Sequence, residues 1–202
     1  MTEVDPVDGS GSIRRGPSSE AVFEKLSERM IYEGRVFNFV EDTWRSPDGD
    51  VFDRQLIRNR GAVAIVPLHD DSTVTLIHQF RPAFGMGIWE IPAGLLDKPG
   101  EARADAAVRE LREEVGFIAE SIRELVTLRP APGLSDERTT IFLATGLAFA
   151  GLEADGPEER FLHIERIPID EIRMMIASGE IEDAKTVTGI MFALEHLRSL
   201  QS

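Results

Sequence analysis

The sequence predicts an α/β protein: a mixed sheet flanked by helices, with an antiparallel hairpin at its N-terminal end. Three observations carry this. Strand-like runs bounded by turn residues recur between residues 35 and 80. A glycine-containing loop then leads into a stretch with helical apolar spacing over 102–115. Three more strand-like runs precede a closing amphipathic helix over 184–200.

Each element has a local cause. Residues 35–45 are rich in strand formers, Ser46-Pro47-Asp48-Gly49 is a turn, and 51–59 alternates, so the two runs make a hairpin. Residues 61–68 are a continuous apolar run, which reads as a buried strand. Asp70-Asp71-Ser72 turns the chain into a strand over 74–80. Residues 81–88 read as a loop and Trp89-Glu90-Ile91-Pro92-Ala93 as a short strand. After the helix at 102–115, strands are expected over 122–128, 139–147 and 160–167, with a polar, acidic loop at 151–159. Pro168 suits the first position of a helix running to about Ala177. Residues 1–20 are Gly-, Ser- and Pro-rich and are expected to be a disordered tail. The expected division is therefore a tail (1–20), a strand region (21–59) and the main domain (60–202).

Composition excludes several classes. No run of about 18 apolar residues is present, so no transmembrane helix is expected. The N-terminal segment lacks the apolar core of a secretory signal. With no cysteine, thiolate metal sites, disulfides and cysteine nucleophiles are impossible; a reducing cytoplasmic location is compatible with that. The net charge of −14 repels phosphate backbones, so no nucleic-acid partner is expected. The four histidines lack zinc-ligand spacing.

The most specific feature is Arg109-Glu110-Leu111-Arg112-Glu113-Glu114-Val115-Gly116. On a helix Glu110, Glu113 and Glu114 stand at i, i+3 and i+4 and share one face. Ala104, Ala107, Val108, Leu111 and Val115 form an apolar stripe opposite them, and Gly116 is placed as a left-handed cap. Carboxylates held this close repel unless a cation lies between them. Mg²⁺ is the expected ion, with Mn²⁺ the alternative. For Glu113-Glu114 alone, a solvated acidic helix is the competing reading.

The string, with Gly94 and Glu101 before it and Phe117 after it, resembles the Nudix box of the Nudix hydrolases. It departs from the pattern once: six residues separate Gly94 from Glu101 where the family has five. The resemblance implies an α/β/α Nudix sandwich and a divalent-metal-dependent hydrolase of diphosphates. Glu110, Glu114 and the Ala93 carbonyl would be metal ligands, with Glu113 a further ligand or catalytic carboxylate. Gly94, Glu101, Arg109 and Gly116 would be structural, Arg109 pairing with Glu101 away from the metal face.

Beyond the box the chain is similar to the ADP-ribose pyrophosphatase branch. Pro132, fifteen residues after Phe117, lies in a Pro-Gly-x-Ser-x-Glu setting, and Gln79-Phe80-Arg81-Pro82 also fits that branch. Pro132 would stiffen a substrate loop, and Glu137 would accept hydrogen bonds from a ribose hydroxyl. Arg81 would clamp a diphosphate, and Arg54 is a second candidate for that contact. In this branch the general base comes from a loop after the box. That points to Glu159, with Glu158 beside it. The implied reaction is hydrolysis of ADP-ribose to AMP and ribose 5-phosphate. Alternatives are another nucleoside diphosphate sugar such as GDP-mannose, or a non-catalytic nucleotide-binding Nudix module, which the intact carboxylates oppose. The expected partners are a small-molecule substrate and a second copy of the chain, since in this branch an N-terminal sheet exchanges across a homodimer.

Overall fold

The computed structural model describes residues 22–152 and 161–201. The tail expected over 1–20, and Glu158 and Glu159, lie outside the described residues.

The described residues form a mixed α/β structure built on three small sheets. The first is antiparallel, β1 (Glu24–Glu33), β2 (Phe37–Arg45) and β3 (Val51–Asn59), in that spatial order. The expected hairpin is therefore two strands, β2 and β3, of a three-stranded sheet. β1 was not legible because its pairing with β2 slips at Lys25/Ser27 and Met30/Tyr32, and such bulges break the period of two.

The second sheet comprises β4 (Ala62–Pro67), β7 (Ala93–Leu95), β8 (Phe117–Leu128) and β9 (Thr139–Phe149), ordered β7-β4-β9-β8. β4 and β9 run parallel; the other pairs are antiparallel. The third orders β10 (His163–Pro168), β5 (Thr73–Arg81) and β6 (Met86–Glu90) antiparallel. Among the described residues there are three helices: α1 (Arg103–Val115), α2 (Ile169–Ser178) and α3 (Ala184–Gln201). The expected loop over 81–88 is shorter, because Arg81 ends β5 and Met86 already pairs with it.

Period-two alternation explains why β4 is apolar throughout. Val63 and Ile65 join the core under α1, with Ala106, Ala107, Leu111 and Val115. Ala64 and Val66 face the opposite core, with Ile172, Ile190 and Ala193 of α2 and α3. A strand covered by helices on both faces has no polar side to show. The helix stripe differs from the expected one: Ala106 is buried, while Ala104 and Val108 are exposed. The strand after α1 starts at Phe117, five residues early, because Gly116 turns the chain at once with φ 73°. A Cβ there would meet the Phe149 ring at 2.7 Å, so glycine is required on two grounds.

The β1-β2-β3 sheet touches the rest through a narrow seam. Ile57 N–H donates to Leu134 O (2.9 Å), and the Asn59 N–H donates to Asp136 Oδ1 (2.9 Å). Every residue of β1 is exposed, including Met30 and Tyr32. Among the described residues no helix is long and apolar enough to cross a membrane.

Candidate active site

α1 rests on the core through Ala107, Leu111 and Val115, one column of the helix. The adjoining column, Ala106, Glu110 and Glu114, is also buried, and it faces β7. Glu114 Oε2 accepts the Ala93 N–H at 2.8 Å. The Glu110 carboxylate lies against Gly94, where an added Cβ would come within 1.9 Å of its carboxyl carbon. Gly94 is therefore needed for the space it leaves a buried carboxylate. Gly94→Ala should push Glu110 aside and lower kcat/KM by roughly 10²-fold, since small misplacements of reacting groups cost that much. Its thermal midpoint should hardly move, because the displaced group is the end of a flexible side chain. Steady-state kinetics beside a circular-dichroism melt would check both.

Arg109 is not off this face, as the sequence suggested. Its guanidinium donates to Glu101 twice (both 3.0 Å), to Glu110 Oε1 (2.5 Å) and to Glu113 Oε2 (2.8 Å). The pair with Glu101 is present, and the same group also neutralises the acidic cluster. Glu101 first, then Glu113 and Glu110, raise the Arg109 pKa above its ordinary value. Burial pushes the Glu110 carboxyl upward against the pull of Arg109. Glu113 is the outer member, partly exposed and 3.9 Å from Lys98.

As the side chains stand, no group of three or more acidic or imidazole residues among those described converges on one point. Arg109 and the Ala93 N–H occupy the oxygens that would have to meet. The donor set still suits a hard cation: carboxylate oxygens of Glu110 and Glu114 beside the Ala93-Gly94 backbone, with Glu110 pressed into a cradle that only glycine leaves open.

Beside the box lies a second charged cluster that sequence reasoning missed. Arg81 donates through Nε (2.5 Å) and Nη2 (2.8 Å) to both oxygens of Glu90, which is 1 % exposed. Lys185 donates to Glu90 Oε2 and pairs with Asp183 at 3.0 Å. Burial opposes the charge on Glu90, but Arg81 and Lys185 together hold its pKa below the usual value. Arg81 also feels Glu114 and Asp183, and its own pKa is raised, chiefly by Glu90. Asp183 caps α3, accepting from the Thr186 N–H (2.9 Å), while Thr186 Oγ1 accepts the Ile91 N–H (2.9 Å). The start of α3 thus braces the segment that leads to Ala93. One sequence signal could have found Glu90: an acid inside the apolar run Ile88 to Ile91 must have a partner.

The remaining candidates lie along the seam with the first sheet. Glu137 accepts from Asn59 Nδ2 (3.2 Å) and Thr139 Oγ1 (3.0 Å). Pro132 sits in an exposed turn closed by Leu134 N–H to Ala131 O (2.9 Å). Arg54 stacks over Phe52 at 4.5 Å and donates to Asp53 O; it stands on β3, away from the box.

Comparison with known proteins identifies the family. The family described as NUDIX domain matches residues 58–188. An ADP-ribose pyrophosphatase of Mycobacterium tuberculosis is 38% identical over 173 residues, covering 86% of this chain and 84% of that protein. An ADP-ribose pyrophosphatase of Bacillus subtilis is 29% identical, covering 83% and 90%. A crystal structure described as an ADP compounds hydrolase is 29% identical and superposes with a TM-score of 0.79, covering 88% of this chain and 95% of the other.

Proposed function

The chain belongs to the NUDIX family, and on that premise we propose that it hydrolyses the diphosphate of ADP-ribose, with Mg²⁺, to AMP and ribose 5-phosphate. The observation that carries this reading is the meeting of Glu110 and Glu114 with the Ala93-Gly94 backbone, with Arg81 within electrostatic reach of Glu114. The names of the two bacterial relatives support the substrate.

Glu110, Glu114 and the Ala93 carbonyl would hold the ion, with Glu113 next to them. A bound divalent cation supplies Lewis-acid neutralisation of the diphosphate and lowers the pKa of water. Arg81 binds the diphosphate through its guanidinium, which suits two phosphate oxygens at once. Arg109 and Glu101 hold the loop onto the helix, so that Glu110 stays beside Gly94. Glu159 takes the proton of the attacking water, with Glu158 as its neighbour. The new bond joins water oxygen to phosphorus, the bridging P–O bond breaks, and the departing phosphate keeps the bridging oxygen. Glu137 and Pro132 shape the ribose end, and Arg54 gives a second cation. Glu159→Gln should lower kcat by about 10²-fold without changing the melting curve; unchanged turnover would move the base to Glu158 or into the box.

The acting unit is a homodimer. β1 is an edge strand of a sheet whose Met30, Tyr32 and Val51 are exposed in one chain, with Phe23 exposed beside it, a surface that association would cover. Light scattering at micromolar concentration should give twice the chain mass; a monomer would end this part of the reading.

The substrate is tested by incubating the protein and Mg²⁺ with ADP-ribose, GDP-mannose, NADH, diadenosine polyphosphates and 8-oxo-dGTP. AMP and ribose 5-phosphate should form fastest from ADP-ribose. A preference for GDP-mannose would redirect the substrate and leave the chemistry in place.

A further inference from the structure

In the Arg81–Glu90–Lys185 cluster, one buried carboxylate is met by two cations, and Lys185 is shared with Asp183. Arg81 bonds both oxygens of Glu90, and Lys185 bonds one of them. The two differ in freedom. Lys185 is largely buried, with 16 % of its side chain exposed, and it sits at the braced start of α3, tied also to Asp183. Arg81 has 37 % of its side chain exposed at the end of β5.

We infer that Lys185 is a positioning residue whose work is to stay on Glu90 so that Arg81 is free to leave it for the substrate's diphosphate. The inference rests on the proposed role of Arg81 and deepens it. A guanidinium that pairs with a buried carboxylate through two hydrogen bonds is not freely available to a phosphate. Moving it away would strand an uncompensated anion in the interior, which is strongly unfavourable. With Lys185 in place, Glu90 keeps a counter-ion throughout. Arg81 then exchanges one set of oxygens for another while Lys185 stays on Glu90. Sequence spacing hides the arrangement, because Glu90 and Lys185 are 95 positions apart.

The test is a set of variants in the full-length protein, read with ADP-ribose at saturating Mg²⁺. Lys185→Met should raise KM by about tenfold, as expected for coupling between two bound charges, and leave kcat within about twofold. Lys185→Arg should restore KM to within about threefold of the wild type. The double variant Glu90→Gln with Lys185→Met removes the anion together with its counter-ion, so KM should return close to the wild-type value. A KM that does not rise in Lys185→Met would overturn the inference, since Arg81 would then reach the diphosphate with its remaining N–H groups while still on Glu90. A KM still about tenfold high in the double variant would also overturn it, because Lys185 would be acting on the substrate itself or on the fold. Should Lys185→Met fail to give a native melting curve, the double variant decides alone, on the same two outcomes. Calorimetric titration with α,β-methylene-ADP, a diphosphate that is not cleaved, gives the same ranking without turnover. If the wild type cleaves no ADP-ribose the substrate reading fails, and the titration still decides the role of Lys185.

Discussion

Glu114→Gln is expected to lower kcat by about 10²–10³-fold, because loss of one carboxylate ligand forfeits several kcal/mol of transition-state charge stabilisation. The change is nearly isosteric, and the amide oxygen can still accept the Ala93 N–H, so the fold should persist. A second readout separates metal affinity from other effects. Mg²⁺ should raise the thermal midpoint of the wild type and do so less in Glu114→Gln, since a ligand that binds only the native state stabilises it by mass action. The wild-type gain should be larger at pH 8 than at pH 5. The sign follows from Glu110. Burial raises its folded-state pKa above the unfolded value, so its contribution favours folding below the unfolded pKa and is lost as pH rises through the folded one. As pH rises the buried carboxylate loses its proton and opposes folding, and a cation relieves that; as pH falls protons compete for the same oxygens. Full activity in Glu114→Gln, or a magnesium-dependent midpoint identical to the wild type, would remove the box from the chemistry.

Arg109→Ala should cost about 3 kcal/mol of stability at pH 7.5, the lower end of the range for breaking a buried ion pair, since Arg109 is not wholly enclosed. Four hydrogen bonds to three carboxylates disappear together. Urea unfolding at pH 7.5 and at pH 4.5 would measure it. The loss should shrink at the lower pH. Arg109 is the leading cause that holds the Glu101 pKa below its ordinary value, so stability from that pair is present above the unfolded pKa and fades as pH falls. Glu110, whose carboxyl burial already pushes upward, is also protonated more readily there, which reduces repulsion within the cluster. Activity should fall at every pH, because Glu110 no longer has its anchor beside Gly94. A destabilisation equal at both pH values would mean that Arg109 contributes packing rather than charge.

The box was legible because its logic is local. A helical period of 3.6 residues puts Glu110 and Glu114 in one column whatever surrounds them. Gly116 announces the end of that helix, and the spacing back to Gly94 and Glu101 is a property of the chain alone. The apolar runs at 61–68 and 74–80 likewise carried their strands, and α3 matched its expected start at Ala184. Which carboxylates turn inward was another matter. The spacing admits all three, but packing on β7 selected Glu110 and Glu114 and left Glu113 at the rim. The same packing brought Arg109 over the cluster that it had been expected to avoid.

From the order of residues alone came the box helix, its carboxylates, the loop that feeds it and the strands that carry it, because each depends on neighbours within about one turn or one hairpin. The tertiary structure alone decided the partners of Arg81, the burial of Glu90 under Lys185, the space that Gly94 leaves for Glu110, and the strand β1 that completes the outer sheet. Those features join segments far apart in the chain, or depend on bulged pairing. Their energies come from burial and charge in an interior that exists only once the layers have packed.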